Sequence, residues 1–179
     1  MPPRLSEPLE NLETNSLDRF AVTVMGVGNP IMGDDGVGIE LVERLRSLCT
    51  DPRVEFVDGG TGGLELLHVV QDAERLLLLD AVAGPTPGEI VELVGDQLPR
   101  LMSQKLSPHQ VGLLDIFSAA RMLDCEPDQI MVLGVVPENV ESRVGLSPVV
   151  EQALPELTKR ALAIIEQWLT DADHSWVQL

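Results

Sequence analysis

The sequence predicts one α/β domain of three layers, with helices on both faces of a mostly parallel, twisted five-stranded sheet. Short runs rich in Val, Ile and Leu alternate with longer segments of helical period. Three glycine-rich polar turns each follow an apolar run, as at the carboxyl ends of parallel strands. A length of 179 residues with 44% hydrophobic composition is enough for one domain with its own core.

The composition also limits the classes of function. Aromatic residues make up only 3% of the chain and tyrosine is absent, so the core must be aliphatic. A net charge of -17 with only 12 basic residues argues against a nucleic-acid partner, because binding there requires clustered Lys and Arg. No apolar run reaches the roughly 20 residues needed to span a membrane. Cys49 and Cys125 have no metal-site or redox spacing, so we expect two reduced thiols and a cytoplasmic protein.

Composition shifts near both ends predict the domain boundaries. Residues 1–19 contain several prolines and charges with little periodicity, and we expect a flexible N-terminal extension. The folded domain should occupy residues 20–170, followed by a C-terminal tail at residues 171–179.

Apolar runs and helical periods predict nine elements in alternation. The strands are expected at residues 21–27, 54–57, 75–82, 89–94 and 130–136. Helices are expected over Val37–Leu48, over residues 64–70 and 110–123, and from the Ser147-Pro148 pair onward, with a kink or restart at Pro155. The core-facing stripes are Val37, Leu41, Leu45 and Leu48 in the first helix, Val111, Leu114, Phe117, Ala120 and Met122 in the third, and Val150, Leu154, Leu157, Ala161, Ile165 and Trp168 in the last.

One acidic residue ends the most apolar strand. Asp80 directly follows four consecutive leucines. A carboxylate held near the interior costs free energy unless it is paired, hydrogen-bonded or bound to a cation. Because the position gains little as a turn, Asp80 is a candidate functional residue.

Three other acidic residues lie in the glycine-rich turns and have simpler explanations. Asp34 and Asp35 precede a helix, where either could cap it or favour its positive end. Asp58 stands before Gly59-Gly60, where an Asp side chain commonly accepts hydrogen bonds from the following amides. Since loops at the carboxyl ends of parallel strands share one edge, all of these carboxylates should nevertheless converge.

His109 offers an imidazole to the same edge. It follows Ser107-Pro108, so it could equally be a polar residue in the first turn of a helix. Together with the carboxylates it makes a set suited to zinc, nickel or iron, and three protein ligands leave positions open for water or substrate. His68 and His174 lie in a short helix and in the expected tail, and offer no competing set.

Other kinds of site fit the sequence less well. The Gly26-x-Gly28 turn has Ile31 where a dinucleotide fingerprint needs its third glycine, and acids crowd the place of a phosphate. A nucleotide-binding module therefore remains a weaker alternative. No G-x-S-x-G motif is present for a serine hydrolase, and both cysteines fall at expected helix ends away from the glycine-rich turns.

Five motifs in order resemble those of the hydrogenase maturation endopeptidases, which process the large subunit of [NiFe] hydrogenases. They are carried by residues 26–38, by Val57-Asp58-Gly59-Gly60-Thr61, by Leu79-Asp80-Ala81, by Ser107-Pro108-His109-Gln110 and by residues 133–138. The resemblance covers about Val22 to Trp168. The fold that it implies is a twisted sheet between helices.

The resemblance also implies a site and a substrate. The metal ligands would be Asp35, Asp80 and His109, with Asp58 near them in substrate selection or catalysis. Many relatives carry Glu at the place of Asp35. The metal would be nickel supplied by the substrate, with zinc or cadmium as ions expected in crystals. The partner would be the large-subunit precursor, which loses a C-terminal peptide.

A second hypothesis from another class remains beside this one. A chaperone without protease activity could bind the same precursor and check its nickel. Only loss of the C-terminal peptide separates the two. We expect a monomer that binds neither nucleic acid nor a membrane.

Overall fold

The protein, described here from a computed structural model, forms a five-stranded sheet covered by helices on both faces. The structure describes residues 20–95 and 108–175, and for residues 108–111, 114, 174 and 175 it describes the backbone alone. The expected N-terminal extension lies outside the described residues, as does Ser107. The elements are β1 Val22–Val27, α1 Val37–Leu48, β2 Val54–Gly60, α2 Leu67–Asp72, β3 Arg75–Ala81, β4 Ile90–Val94, α3 Pro108–Met122, β5 Gln129–Val135 and α4 Pro148–Ser175.

The strand order β2-β1-β3-β5-β4 confirms the mostly parallel sheet. β1 pairs in parallel with β2 and β3, and β3 pairs in parallel with β5. β4 is antiparallel to β5 and forms one edge of the sheet. The ends of β1, β2, β3 and β5 therefore meet at a single edge, which we call the carboxyl edge.

The central strand β3 explains why two helical layers form. All four residues from Leu76 to Leu79 are fully buried, as expected for a parallel strand covered on both faces. Leu77 and Leu79 pack in the cluster that contains α1 and α4 residues, whereas Leu76 and Leu78 pack in the cluster of α2 and α3. Burying each leucine stabilises the fold by about 2 kcal/mol relative to leaving it exposed.

The helix faces follow the predicted period, with two exceptions. Val37, Leu41 and Leu45 are buried, and so are all six predicted residues of α4. Leu48 and Met122 were predicted in the core but are 59% and 86% exposed. Leu48 stands in the last turn of α1, and Met122, two residues after buried Ala120, lies on the side of α3 that faces away from the core. In α3, Ala120 is buried as predicted and Phe117 packs against the core, while Leu113 and Ile116 are buried without having been predicted. The side chains of Val111 and Leu114 lie outside the described residues.

Most element ends differ by one to three residues from those that the sequence predicts, and the differences in β2 and α4 have a clear physical reason. β2 continues through Asp58 to Gly60, because Gly26 of β1 pairs with Asp58 and Val27 pairs with Gly60. α4 continues through Pro155 without restarting. Pro155 is exposed, so water can donate a hydrogen bond to the backbone carbonyl four residues earlier, which has no amide donor from the proline. The same helix runs on to Ser175, past the expected boundary of the tail at residue 171.

Candidate functional site at the carboxyl edge

Asp80 lies at the carboxyl edge on the face covered by α2 and α3. Side chains alternate along β3, so Asp80 points to the same face as Leu76 and Leu78. Its exposure is only 2%, and its Oδ1 accepts a hydrogen bond from the Ala81 N–H at 2.7 Å. Gly134 of β5 pairs with Asp80, and a Cβ at Gly134 would come within 2.6 Å of the Asp80 carbonyl oxygen.

Asp35 lies in the loop after β1, in a 3₁₀ turn over Gly33–Gly36 that packs against β3. Its side chain is 7% exposed, and its Oδ2 accepts the Asn29 N–H at 2.9 Å. Gly28 has a φ of +130°, and a Cβ there would stand 1.8 Å from the Asp35 carbonyl oxygen. Glycine at this position lets the turn fold back onto β1. Asp35 is thus held beside the end of the strand that neighbours Asp80.

Asp58 forms the turn that the sequence predicts, and its side chain remains exposed to solvent. Its Oδ1 accepts the Gly60 N–H at 2.9 Å, and Gly60 has a φ of +52°. The expected Asx turn is confirmed. Because the side chain is exposed, Asp58 remains available at the carboxyl edge to a group that approaches from solvent.

The first turn of α3 brings the backbone of His109 to the same edge. α3 leads to β5, which begins at the opposite edge, so α3 starts at the carboxyl edge. A Cβ at Gly112 would lie 3.2 Å from the Gly63 Cα, which places this turn against the loop after β2. Pro108 opens the helix as predicted. The side chain of His109 lies outside the described residues, so its place in the metal set stays a prediction.

Asp34 differs from its neighbour, and of its two simple explanations the one in which it caps a helix is wrong. Neither the 3₁₀ turn nor α1 has a side-chain cap. Asp34 instead accepts hydrogen bonds from Glu138, Asn139 and Ser147, more than 100 residues later. Burial raises the pKa of Asp34, but the bonds from Ser147, Asn139 and Glu138 outweigh it and hold that pKa below its ordinary value. No local pattern in the sequence indicates this pairing, because the partners lie more than 100 residues apart.

The acidic side chains alone do not make a complete metal site. Among the side chains that the structure describes, no three from His, Cys, Asp and Glu lie close enough to hold one ion. The set Asp35, Asp80 and His109 contains one undescribed side chain. Two carboxylates and one imidazole are oxygen and nitrogen ligands that suit a divalent first-row ion.

The cysteines and His68, elsewhere in the described part of the chain, do not compete with this edge. Cys49 and Cys125 are free thiols just after α1 and α3, at the opposite edge of the sheet. His68 lies on α2 and its Nδ1 is 2.7 Å from the Glu65 carbonyl oxygen. None of the described helices is both long enough and apolar enough to cross a membrane.

A mostly parallel sheet with buried carboxylates at its carboxyl edge defines an α/β protein with a candidate polar site at that edge, and similarity to known proteins identifies the class. A sequence model described as hydrogenase maturation protease matches residues 39–164. The chain is 36% identical over 149 residues to the hydrogenase 2 maturation protease of Escherichia coli, covering 82% of this chain and 91% of that protein. It is 33% identical over 151 residues to the hydrogenase expression/formation protein HoxM of Cupriavidus necator, covering 82% and 75%.

Solved structures agree with the sequence comparisons. The hydrogenase maturating endopeptidase HybD from E. coli superposes with a TM-score of 0.77 at 35% identity, over 82% of this chain and 92% of that one. A hydrogenase 2 maturation peptidase from a Thaumarchaeota archaeon gives a TM-score of 0.63 at 27% identity, over 81% and 97%. The chain therefore belongs to the hydrogenase maturation protease family, and the resemblance seen in its motifs is confirmed.

Proposed function

We propose that this protease removes the C-terminal peptide from the nickel-loaded precursor of a [NiFe] hydrogenase large subunit. The observation that carries the proposal is the pair Asp35 and Asp80, two carboxylates that are 7% and 2% exposed at one edge of the sheet. Burying an ionised carboxylate away from water costs free energy unless a cation or hydrogen-bond donors lie beside it. Membership of the family supplies the class of substrate.

In this proposal Asp35, Asp80 and His109 recognise nickel that arrives within the precursor. Cysteine thiolates of the precursor would hold the ion from one side, and the oxygen and imidazole ligands would complete its coordination. A precursor without nickel would lose these contacts and bind poorly. Zinc or cadmium could take the same ligands in a crystal, because both accept oxygen and imidazole donors.

The bond is broken in this proposal by water. The water oxygen attacks the scissile carbonyl carbon, the peptide C–N bond breaks, and the released amine takes a proton. Asp58 is better suited than Asp35 to accept the proton of the water, because Asp58 is exposed whereas Asp35 is nearly covered. We also propose that the protein is a monomer that acts in the cytoplasm, where the free thiols of Cys49 and Cys125 would remain reduced.

The test is to mix the purified protein with nickel-loaded and nickel-free precursor and follow release of the C-terminal peptide by mass spectrometry. We expect cleavage of the loaded form only. Equal cleavage of both forms would reject nickel recognition. Tight binding of the loaded precursor without peptide release would instead identify a nickel-checking chaperone.

A further inference from the structure

Asp34 is fully buried and stands directly beside the proposed nickel ligand Asp35. Its exposure is 0%, so no water compensates an ionised carboxylate there. The carboxylate can stay ionised in this position only if hydrogen-bond donors of the protein replace the lost water. The donors that replace it determine what Asp34 does.

Both carboxylate oxygens of Asp34 accept hydrogen bonds from one distant segment. Oδ2 accepts the N–H of Glu138 at 2.8 Å, the N–H of Asn139 at 3.0 Å and the Ser147 hydroxyl at 2.8 Å. Oδ1 accepts the Ser147 N–H at 2.6 Å. Three of these four donors are backbone amides, which cannot become acceptors, so an amide side chain at this position cannot replace the carboxylate.

The backbones of the two segments are joined as well. The Asp34 N–H donates to the Asn139 carbonyl at 2.9 Å, and the Gly33 N–H donates to the Arg143 carbonyl at 2.7 Å. The Arg143 N–H in turn donates to the Ile31 carbonyl at 3.0 Å. The 3₁₀ turn is therefore fixed against residues 138–147 from both sides.

We propose that Asp34 is a positioning residue that fixes the direction of the Asp35 side chain toward the nickel of the precursor. Asp34 and Asp35 share one peptide bond in a single turn of 3₁₀ helix, so the backbone angles that Asp34 clamps also set the orientation of Asp35. The inference rests on the proposed function. Hydrogen bonds that orient a metal ligand are typically worth about 10- to 100-fold in metal affinity or activity.

A double-mutant cycle on nickel recognition tests the inference. The quantity measured is the nickel ratio, the Kd for nickel-free precursor divided by the Kd for nickel-loaded precursor. Asp34→Asn should lower the nickel ratio by about 10- to 100-fold. In the Asp35→Asn background the same change should lower it no further, because Asp34 then has no ligand to position.

Matched variants separate positioning from loss of stability. Asp51→Asn also removes a carboxylate that accepts side-chain and backbone hydrogen bonds, but it lies at the opposite edge of the sheet. It should lower the melting temperature and keep the nickel ratio. Ser147→Ala removes one donor and keeps the three amides, so it should lower the ratio by a smaller factor even if Asp34→Asn does not fold.

The outcomes distinguish the inference from the function on which it rests. A wild-type nickel ratio well above one that is unchanged in Ser147→Ala and in folded Asp34→Asn would overturn the inference alone. Additive losses in the double mutant would also overturn it, since they indicate independent action. A wild-type nickel ratio near one would reject nickel recognition and the inference with it.

Discussion

Four aspartates at the carboxyl edge differ mainly in what surrounds each carboxylate. Asp34 is satisfied by four donors from residues 138–147, and Asp58 holds its own turn while staying exposed. Asp35 and Asp80 are almost covered, and each accepts a hydrogen bond from a nearby backbone amide. Identical side chains thereby become a buried hydrogen-bond acceptor, an accessible candidate base and two candidate ligands.

The candidate ligands predict a loss of activity without a loss of fold. His109→Ala and Asp80→Asn should each reduce cleavage of the nickel-loaded precursor by about 100-fold or more, since several kcal/mol of transition-state stabilisation would disappear. The measurement is peptide release under single-turnover conditions, together with circular dichroism to check the fold. His68→Ala, which changes an exposed histidine on α2, should cleave at the wild-type rate. Wild-type cleavage by either ligand variant would remove that residue from the site.

The sequence was sufficient to single out the candidate residues of the site but not the contacts of Asp34. A carboxylate directly after four leucines costs free energy in any buried strand, so Asp80 could be named as a candidate functional residue from the sequence alone. Asp58 before two glycines follows a local rule, and the structure confirms it. The hydrogen-bond donors to Asp34 lie in residues 138–147, which approach it only in the folded chain. No local sequence pattern predicts such a contact.

At the scale of elements, α1 lies unusually close to the strands beneath it. A Cβ at Gly38 would stand 2.3 Å from the Val27 carbonyl oxygen and 2.3 Å from the Leu79 carbonyl oxygen. A Cβ at Gly26 would stand 2.2 Å from the Gly38 carbonyl oxygen. Backbone atoms on both sides leave no room for a methyl group, so helix and sheet meet through glycine.

This close approach predicts that Gly38→Ala destabilises the fold. Helix propensity alone would favour alanine by about 1 kcal/mol. Overpacking against two backbone oxygens should reverse the sign and lower the free energy of unfolding by about 3 kcal/mol. Urea denaturation measures the difference. Ser118→Ala is the control, because Ser118 lies on an exposed side of α3 and the change adds no atom that must be packed; equal stability of both variants would contradict the prediction.

The opposite edge of the sheet is held by charges. Arg53 donates to both oxygens of Asp51 and also pairs with Asp173 near the end of α4, at 2.7 Å. Hydrogen bonds from the Arg53 side chain and backbone lower the pKa of Asp51 below its ordinary value. These contacts join the loop before β2 to the last helix.

The lowered pKa of Asp51 predicts how its contribution to stability depends on pH. In the unfolded chain Asp51 titrates near its ordinary pKa of 3.8. Because the folded pKa is lower, the contribution is complete well above that value and is lost as the pH falls through the folded pKa. Wild type should therefore melt at a higher temperature than Asp51→Asn at pH 7, and the two should converge below about pH 4. A difference that stays constant down to pH 2 would contradict this expectation.

Element positions could be predicted better than element ends. The four leucines of β3 form the continuous apolar run of a strand buried on both faces, and the stripe of α4 has the period of a helix buried on one face. Both patterns can be recognised in the sequence alone. Leu48 keeps the period of α1 but is exposed in its last turn, whereas Met122 lies two residues from buried Ala120 and therefore off the buried face of α3. The limit of the covering surface is a property of the assembled layers and cannot be read from one helix.

At the scale of the whole molecule, the large exposed apolar side chains of the described residues fall at several places, although Ile31 and Val144 lie in loops that are hydrogen-bonded to each other. Leu48 and Met122 end helices on opposite faces of the sheet, whereas Ile31 and Val144 lie in loops at the carboxyl edge. Dispersed apolar residues are ordinary for a monomer, because stable association needs a contiguous patch.

We therefore expect one monomeric species in sedimentation velocity, independent of protein concentration over the micromolar range. The net charge of -17 should oppose self-association further at low salt. A sedimentation coefficient that rises with concentration would show that the exposed residues pair between copies.

The contact between Asp34 and Ser147 also has a consequence for synthesis in the cell. The two residues are 113 positions apart, and Ser147 immediately precedes the 28 residues of α4. While the ribosome is still making the second half of the chain, the acidic turn has no distant donors to fix it. The 3₁₀ turn should therefore become fixed only once residues 138–147 have left the ribosome and reached it.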